Sequence, residues 1–344
     1  MALLAACGDR VGTTGGDVQP VVLRTQDARF DPAQVAWAHL FALHYGPRTY
    51  TLDQAIRGLE VSDYGFFLRL AENPRDMFAK ARWGFFDGET VQLLPDSVAN
   101  LAVSADGRYV GWIDWDGPLR LAGRVAKVVV VDLSTGRQIF TDSHGMGGDA
   151  GDDLEARYSE LTPTFLGFDA DSRYAYWINA SGSGERVRWR LGTEEVQTQP
   201  EAEARAEDDG QAGYRSEVVN SYAGRSGLSS PESVGLGYPN WSPSGDYVAE
   251  LSIPSRTSVF DANNLRPIPL NLSSRAQYFA GWLPGDRLYV VTSPKRVRSY
   301  DPTGPDPTQG RIMVCSLPAG TCTGDARIPG LRDLVLPHNP SVLD

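Results

Sequence analysis

The chain has 344 residues, 41% of them hydrophobic, and a net charge of −11. That acidic balance excludes a phosphate-binding surface for nucleic acid and a purely electrostatic hold on anionic lipid, because both need basic residues. No run of about 18 apolar residues occurs, so no transmembrane helix is expected. The 36 glycines and 23 prolines fit many short strands joined by turns.

Taken in order, residues 1–18 read as a flexible tether rich in glycine, and 19–344 as one domain. Val21–Arg24 is a short strand candidate. Residues 34–45 are apolar enough for two strands or one helix. The turn at Tyr45-Gly46-Pro47-Arg48 and the strand Thr49–Leu52 favour a hairpin. Leu59–Leu68 repeats the strand–turn–strand theme. Phe85–Leu93 is a further hairpin with Asp87-Gly88 at its tip.

Val103-Ser104-Ala105-Asp106-Gly107-Arg108-Tyr109-Val110-Gly111-Trp112 follows. Asp106-Gly107 predicts a two-residue hairpin turn, and Tyr109, Val110 and Trp112 are strand formers. Copies stand at Phe168–Trp177 and Trp241–Ala249, with a shortened one at Gly281–Val290. Residues 99–143 give four strands in about 45 residues, the period of a propeller blade. Residues 163–198, 237–272 and 277–330 repeat that count. Residues 199–235 contain an acidic run and read as a degenerate blade or a long loop. The turns at Asp132–Gly136, Asp261–Asn264 and Cys315–Gly320 are equivalent. The fold class is therefore all-β: a β-propeller of four-stranded blades, seven or six in number. A blade cannot bury its faces alone, so the ring must close. Val21–Arg24 and Leu334–Leu336 are the candidate closing strands.

The Ser-Ala-Asp-Gly-Arg-Tyr-Val and Trp-Ser-Pro-Ser-Gly-Asp-Tyr-Val copies resemble the WD40-like repeats of TolB-type β-propellers over roughly residues 30–330. The resemblance implies the fold and little about function, because the motif is a structural hairpin. Cys315 and Cys322 would face each other across a hairpin, at a spacing that allows a disulfide and so an oxidising compartment. Leu4-Ala5-Ala6-Cys7-Gly8 resembles a bacterial lipobox, which implies diacylation of Cys7. Only six residues precede Cys7, fewer than a signal peptide needs, so the reading takes 1–18 as a residual signal and tether. Together these features resemble secreted actinobacterial propeller lipoproteins.

The unrepeated parts are weak in chemical signals. His144-Gly145-Met146-Gly147-Gly148 resembles the oxyanion turn of lipases, but no Gly-x-Ser-x-Gly elbow accompanies it. Asp149–Glu155 clusters carboxylates without the EF-hand pattern and reads as a solvated acidic loop. His39, His44 and His338 stand in separate contexts without metal-ligand spacing. Asp106, Asp114, Asp132 and Asp171 have turn or strand-end explanations. Trp112, Tyr176, Trp177, Trp241 and Trp282 read as packing between blades. No catalytic, cofactor or metal residue is nominated. The expected function is a monomeric, non-catalytic binding or scaffold protein of the cell envelope, lipid-anchored outside the cytoplasm, with a protein or envelope ligand. The alternatives are a propeller hydrolase or lactonase and a TolB-like component of translocation machinery.

Overall fold

A computed structural model describes residues 20–25, 30–31, 34–73, 80–104, 106–115, 125–147, 154, 158, 162–169, 172–178, 186–199, 240–242, 246–252, 256–264, 266–272, 276–283, 285–293, 309–331 and 333–337. Within them the apolar runs and turns resolve into consecutive antiparallel meanders. Blade I uses β1 (Ala36–His39), β2 (Ala42–Tyr45) and β3 (Arg48–Thr51). Blade II is β4 (Ala55–Ser62), β5 (Gly65–Ala71), β6 (Ala81–Phe86) and β7 (Val91–Leu93). Blade III is β8 (Val98–Val103), β9 (Tyr109–Asp114), β10 (Lys127–Asp132) and β11 (Arg137–Asp142). Blade IV is β12 (Phe165–Phe168), β13 (Tyr174–Ile178), β14 (Arg186–Arg190) and β15 (Val196–Gln199). Blade V is β16 (Asn240–Trp241), β17 (Tyr247–Ser252), β18 (Arg256–Asp261) and β19 (Pro267–Ile268). Blade VI is β20 (Ala276–Leu283), β21 (Arg287–Ser293), β22 (Gly310–Ser316) and β23 (Thr321–Ile328).

The last strand, β24 (Leu334–Val335), pairs with β1 and completes blade I as its first strand. Strands far apart in sequence thus close one sheet. The first strands of blades I to IV meet in series: β24 touches β4, β4 touches β8 and β8 touches β12, with a parallel bridge from Leu59 to Pro337. This is a β-propeller, with six four-stranded sheets among the described residues. Residues 200–239, which cover most of the predicted degenerate blade, lie outside the described residues, as do Cys7 and the tether.

The cores sit between sheets, as strand alternation requires. In β10, Val128 and Val130 face blade IV with Trp177 and Trp189, while Val129 and Val131 face blade II with Phe67 and Phe85. Equivalent cores join I to II, V to VI, and VI to I.

Two expectations need correction. Val21–Arg24 does not close the ring. Val22 instead bridges Arg137 at the outer edge of blade III, Leu23 N donates to Gly136 O at 2.7 Å, and the Leu23 side chain is buried between blades II and III. A short apolar run does not specify which sheet edge it joins. Nor is the Asp106-Gly107 turn two residues long. Ser104 N donates to Tyr109 O at 2.8 Å, so the loop opens only beyond that pair. The reason is the Ser104 side chain: its Oγ accepts from Tyr109 N at 2.8 Å and meets Asp106 Oδ1 at 2.5 Å. Asp169 plays the same part for Tyr174, and Ser242 for Tyr247.

Candidate functional site

The meander topology sorts the connections onto two faces. The turns from first to second strand and from third to fourth share one face, where none exceeds five residues. They touch in series: Asp63 N donates to Gly107 O at 3.2 Å, and Asp106 N to Ser172 Oγ at 3.4 Å. The strand ends that flank 72–80, 115–126, 143–164, 200–239 and 294–309 lie at the other face. The repeats therefore occupy one face, and the long unrepeated segments attach at the other.

Cys315 and Cys322 are register partners on β22 and β23 and form a disulfide. Both are buried in the core between blades V and VI. Asn271 caps the bridge, its Oδ1 accepting from Cys322 N at 2.6 Å. His39 and His44, read as separate, share one face of the β1–β2 hairpin. His44 stacks on Trp37 with ring centroids 3.7 Å apart. Burial, and then the charge of His39, holds the His44 imidazole below its usual range. His144 lies beside Thr198, its Nε2 3.1 Å from the Thr198 Oγ1, and its carbonyl accepts from Trp177 Nε1 at 2.9 Å. His338, Asp171, Gly148 and nearly all of 149–155 lie outside the described residues.

The remaining sequence candidates are structural. Trp112 and Trp177 are fully buried between blades, and Trp282 packs against the V–VI core. Tyr176 is half-buried beneath the Arg186 guanidinium, and the side chain of Trp241 is outside the described set. Asp132 holds Arg108 through Oδ2···Nη2 at 2.7 Å and Oδ1···Nε at 3.2 Å. Asp106 orders its own turn, and Asp114 is buried at the end of β9. Among the described residues, no group of three or more His, Cys, Asp or Glu is placed to hold a metal ion.

Sequence reasoning missed a cleft of about 340 Å³ on the short-turn face, between blades I and II. It is lined by the β2–β3 turn (Tyr45, Pro47, Arg48, Tyr50), the β6–β7 turn (Asp87, Gly88, Glu89) and Phe30, Asp31 and Gln34. The walls are aromatic: Phe30 meets Tyr45 edge-on at 5.4 Å, and Tyr50 meets Phe86 at 5.2 Å. Asp31, Arg48 and Glu89 are exposed at the rim. Asp87 is buried and committed to its turn, accepting from Glu89 N at 2.9 Å and Thr90 N at 2.8 Å. Tyr45 donates its hydroxyl to Asp31 O at 2.7 Å, and burial pushes that hydroxyl up to about 12. Aromatic rings set among polar and charged side chains suit the capture of a small polar ligand. Both turns were legible in the sequence, but nothing local says that they meet.

No family model and no curated protein matches the chain. Solved structures do. A TolB candidate from Agrobacterium tumefaciens is 10% identical over 86% of this chain and 89% of its own, with a TM-score of 0.37. A 6-phosphogluconolactonase candidate from Bacteroides uniformis is 15% identical over 86% and 83%, with a TM-score of 0.32. The β-propeller domain of Cps50 (Swd1) from Myceliophteria thermophila is 11% identical over 84% and 77%, with a TM-score of 0.31. The propeller assignment stands on the sheets, the closure by β24 and the cores between sheets.

Proposed function

We propose that this chain is an extracytoplasmic propeller lipoprotein, anchored to the cell membrane through acylated Cys7, that serves as a monomeric, non-catalytic binding or scaffold module of the cell envelope. The Cys315–Cys322 disulfide carries the reading. Such a bond persists in an oxidising compartment. Here it is part of the fold, joining two strands of blade VI inside the V–VI core. The lipobox-like run before Cys7 supports the anchor, and a diacylated cysteine supplies the two chains that stable anchoring needs.

The cleft supports binding over turnover. General acid–base chemistry needs a group whose proton is exchangeable near the working pH. Tyr45 is held at about 12, and the Asp87 carboxylate is occupied by the amides of its own turn. Arg48, Asp31 and Glu89 bring charge of both signs to the cleft.

Cells fed a radioactive fatty acid will label the full-length precursor and not its Cys7→Ser form; an unlabelled wild type ends the anchor. Non-reducing mass spectrometry of the secreted chain will find Cys315 joined to Cys322, and free thiols there remove the compartment. A lactone and ester panel will show no turnover, whereas steady hydrolysis replaces this reading with the hydrolase one. Crosslinking in intact cells identifies the partner, and recovery of translocation machinery puts the TolB-like role in its place.

A further inference from the structure

The N-terminal segment 20–25 is bound to the outside of the ring. Leu23 is buried, so by strand alternation Val22 and Arg24 point outward. Gln92 of blade II clasps the segment from one side: its Nε2 donates to Val22 O at 2.6 Å, and its Oε1 accepts from Arg24 N at 3.0 Å. Blade III holds the other side, where Gln138 N donates to Val21 O at 3.2 Å. The large apolar side chains most exposed among the described residues are Val22 (58%), Leu166 (47%), Leu93 (45%), Ile139 (42%) and Phe41 (37%). Three of these five lie at this outer edge: Val22 on the segment, Ile139 on β11, and Leu93 on β7, where it lies on the blade I side with Val91. Arg24 and Arg137 are exposed among them.

From these observations we infer that the outer rim of blades II and III rests on the surface of the lipid bilayer, with Val22, Leu93 and Ile139 at the interface. This rests on the proposed acylation of Cys7. Residues 8–19 separate Cys7 from Pro20, and an extended chain of that length spans at most ~45 Å. The tether joins the ring at this rim, so this rim lies within that reach of the acyl chains. Exposed apolar side chains interleaved with arginines fit that boundary, where apolar groups enter the acyl region and guanidinium groups reach headgroups. With a net charge of −11, the contact has to be apolar and local rather than a field effect of the whole protein. The ring then stands edge-on, and both faces stay open to partners.

The test uses full-length lipidated protein reconstituted in phosphatidylcholine vesicles containing doxyl-labelled lipid. With Cys7 acylated and Cys315 and Cys322 paired, a cysteine introduced by Leu93→Cys or Ile139→Cys is the one free thiol for a fluorophore. Asn263→Cys, exposed on blade V, is the control. The expected result is at least about twofold stronger quenching at 93 and 139 than at 263. Equal quenching at all three sites, in protein whose Cys7 is acylated by intact mass, overturns the rim contact and leaves the anchor standing. An unacylated Cys7 overturns the anchor and the rim contact together.

Discussion

The turns that close the third and fourth strands of blades III and VI end on the same glycine conformation and carry different locks. In each, a glycine with positive φ, Gly136 (66°) or Gly320 (65°), ends the turn. In each, the glycine carbonyl accepts an amide from a chain lying alongside: Leu23 N at 2.7 Å in blade III, Asn271 N at 3.1 Å in blade VI. A Cβ would stand 2.0 Å from Leu23 O at the first and 2.1 Å from Pro269 O at the second. The lock in blade III is electrostatic, the Arg108–Asp132 pair with Ser134 bonded to Asp132. In blade VI it is the covalent Cys315–Cys322 bond. The covering chain differs too. Asn271 comes from the neighbouring blade, whereas Leu23 arrives from the far N-terminus. The contact is therefore set by backbone geometry, and the side chains that secure it are interchangeable.

The largest effect comes from attacking the shared part. Gly136→Ala and Gly320→Ala should each cost about 3 kcal/mol, because the added Cβ meets a backbone oxygen and the left-handed conformation is strained. Denaturant midpoints measure both. Hydrogen exchange should separate them, with protection lost over 21–25 in the first and over the V–VI junction in the second. Equal exchange at 21–25 in wild type and Gly136→Ala would break the equivalence.

Removing the covalent lock comes next. A Cys315→Ser, Cys322→Ser double variant should lose about 2.5 kcal/mol, the chain-entropy value for a loop this short. Dithiothreitol should reproduce that loss in wild type and leave blade III untouched.

The electrostatic lock is smaller. Arg108 is half-exposed, so solvent screens the pair, and Arg108→Ala should cost about 1 kcal/mol at pH 7. Burial alone would raise the Asp132 carboxyl, but the hydrogen bonds from Arg108 and Ser134 outweigh it and hold the group below its usual range. A carboxyl lowered in the folded state stabilises above its unfolded pKa of about 3.9 and loses that contribution as pH falls through the folded value. The gap between wild type and Arg108→Ala should therefore narrow from pH 5 to pH 2, while the cost of the cysteine double variant stays flat. A gap that widens on acidification would refute the lock.

Ser104→Ala should cost least, about 0.5–1 kcal/mol for the lost bond to Tyr109 N. Ser104→Asp should restore it, since Asp169 does the same work in blade IV.

These contrasts also mark what can be read from the chain alone. The strands and their turns were legible because alternation and Asp-Gly or Pro-Gly pairs are local signals. So was the disulfide, whose cysteines flank one hairpin. The length of the Ser104–Tyr109 loop was not, because a serine hydroxyl replaced the tight turn that Asp106-Gly107 alone suggests. The place of Val21–Arg24 depended on an edge offered by blade III, far away in sequence. The cleft was invisible for the same reason: Phe30, Arg48 and Glu89 come from separate segments and meet through the I–II packing. That His39 and His44 share one face of the hairpin needed the β1–β2 register.

The inner strand of blade I is β24, made from residues 334–335 of a chain whose next strand partner, β1, begins at residue 36. The ribosome delivers β1 long before β24. Until residues 334–335 emerge, the edge of β1 that β24 covers stays bare, although blade VI already packs on that side of blade I. The ring is thus a clasp that β24 fastens. A chain stalled or clipped before Leu334 would retain five whole sheets among those described and still lack a closed circle.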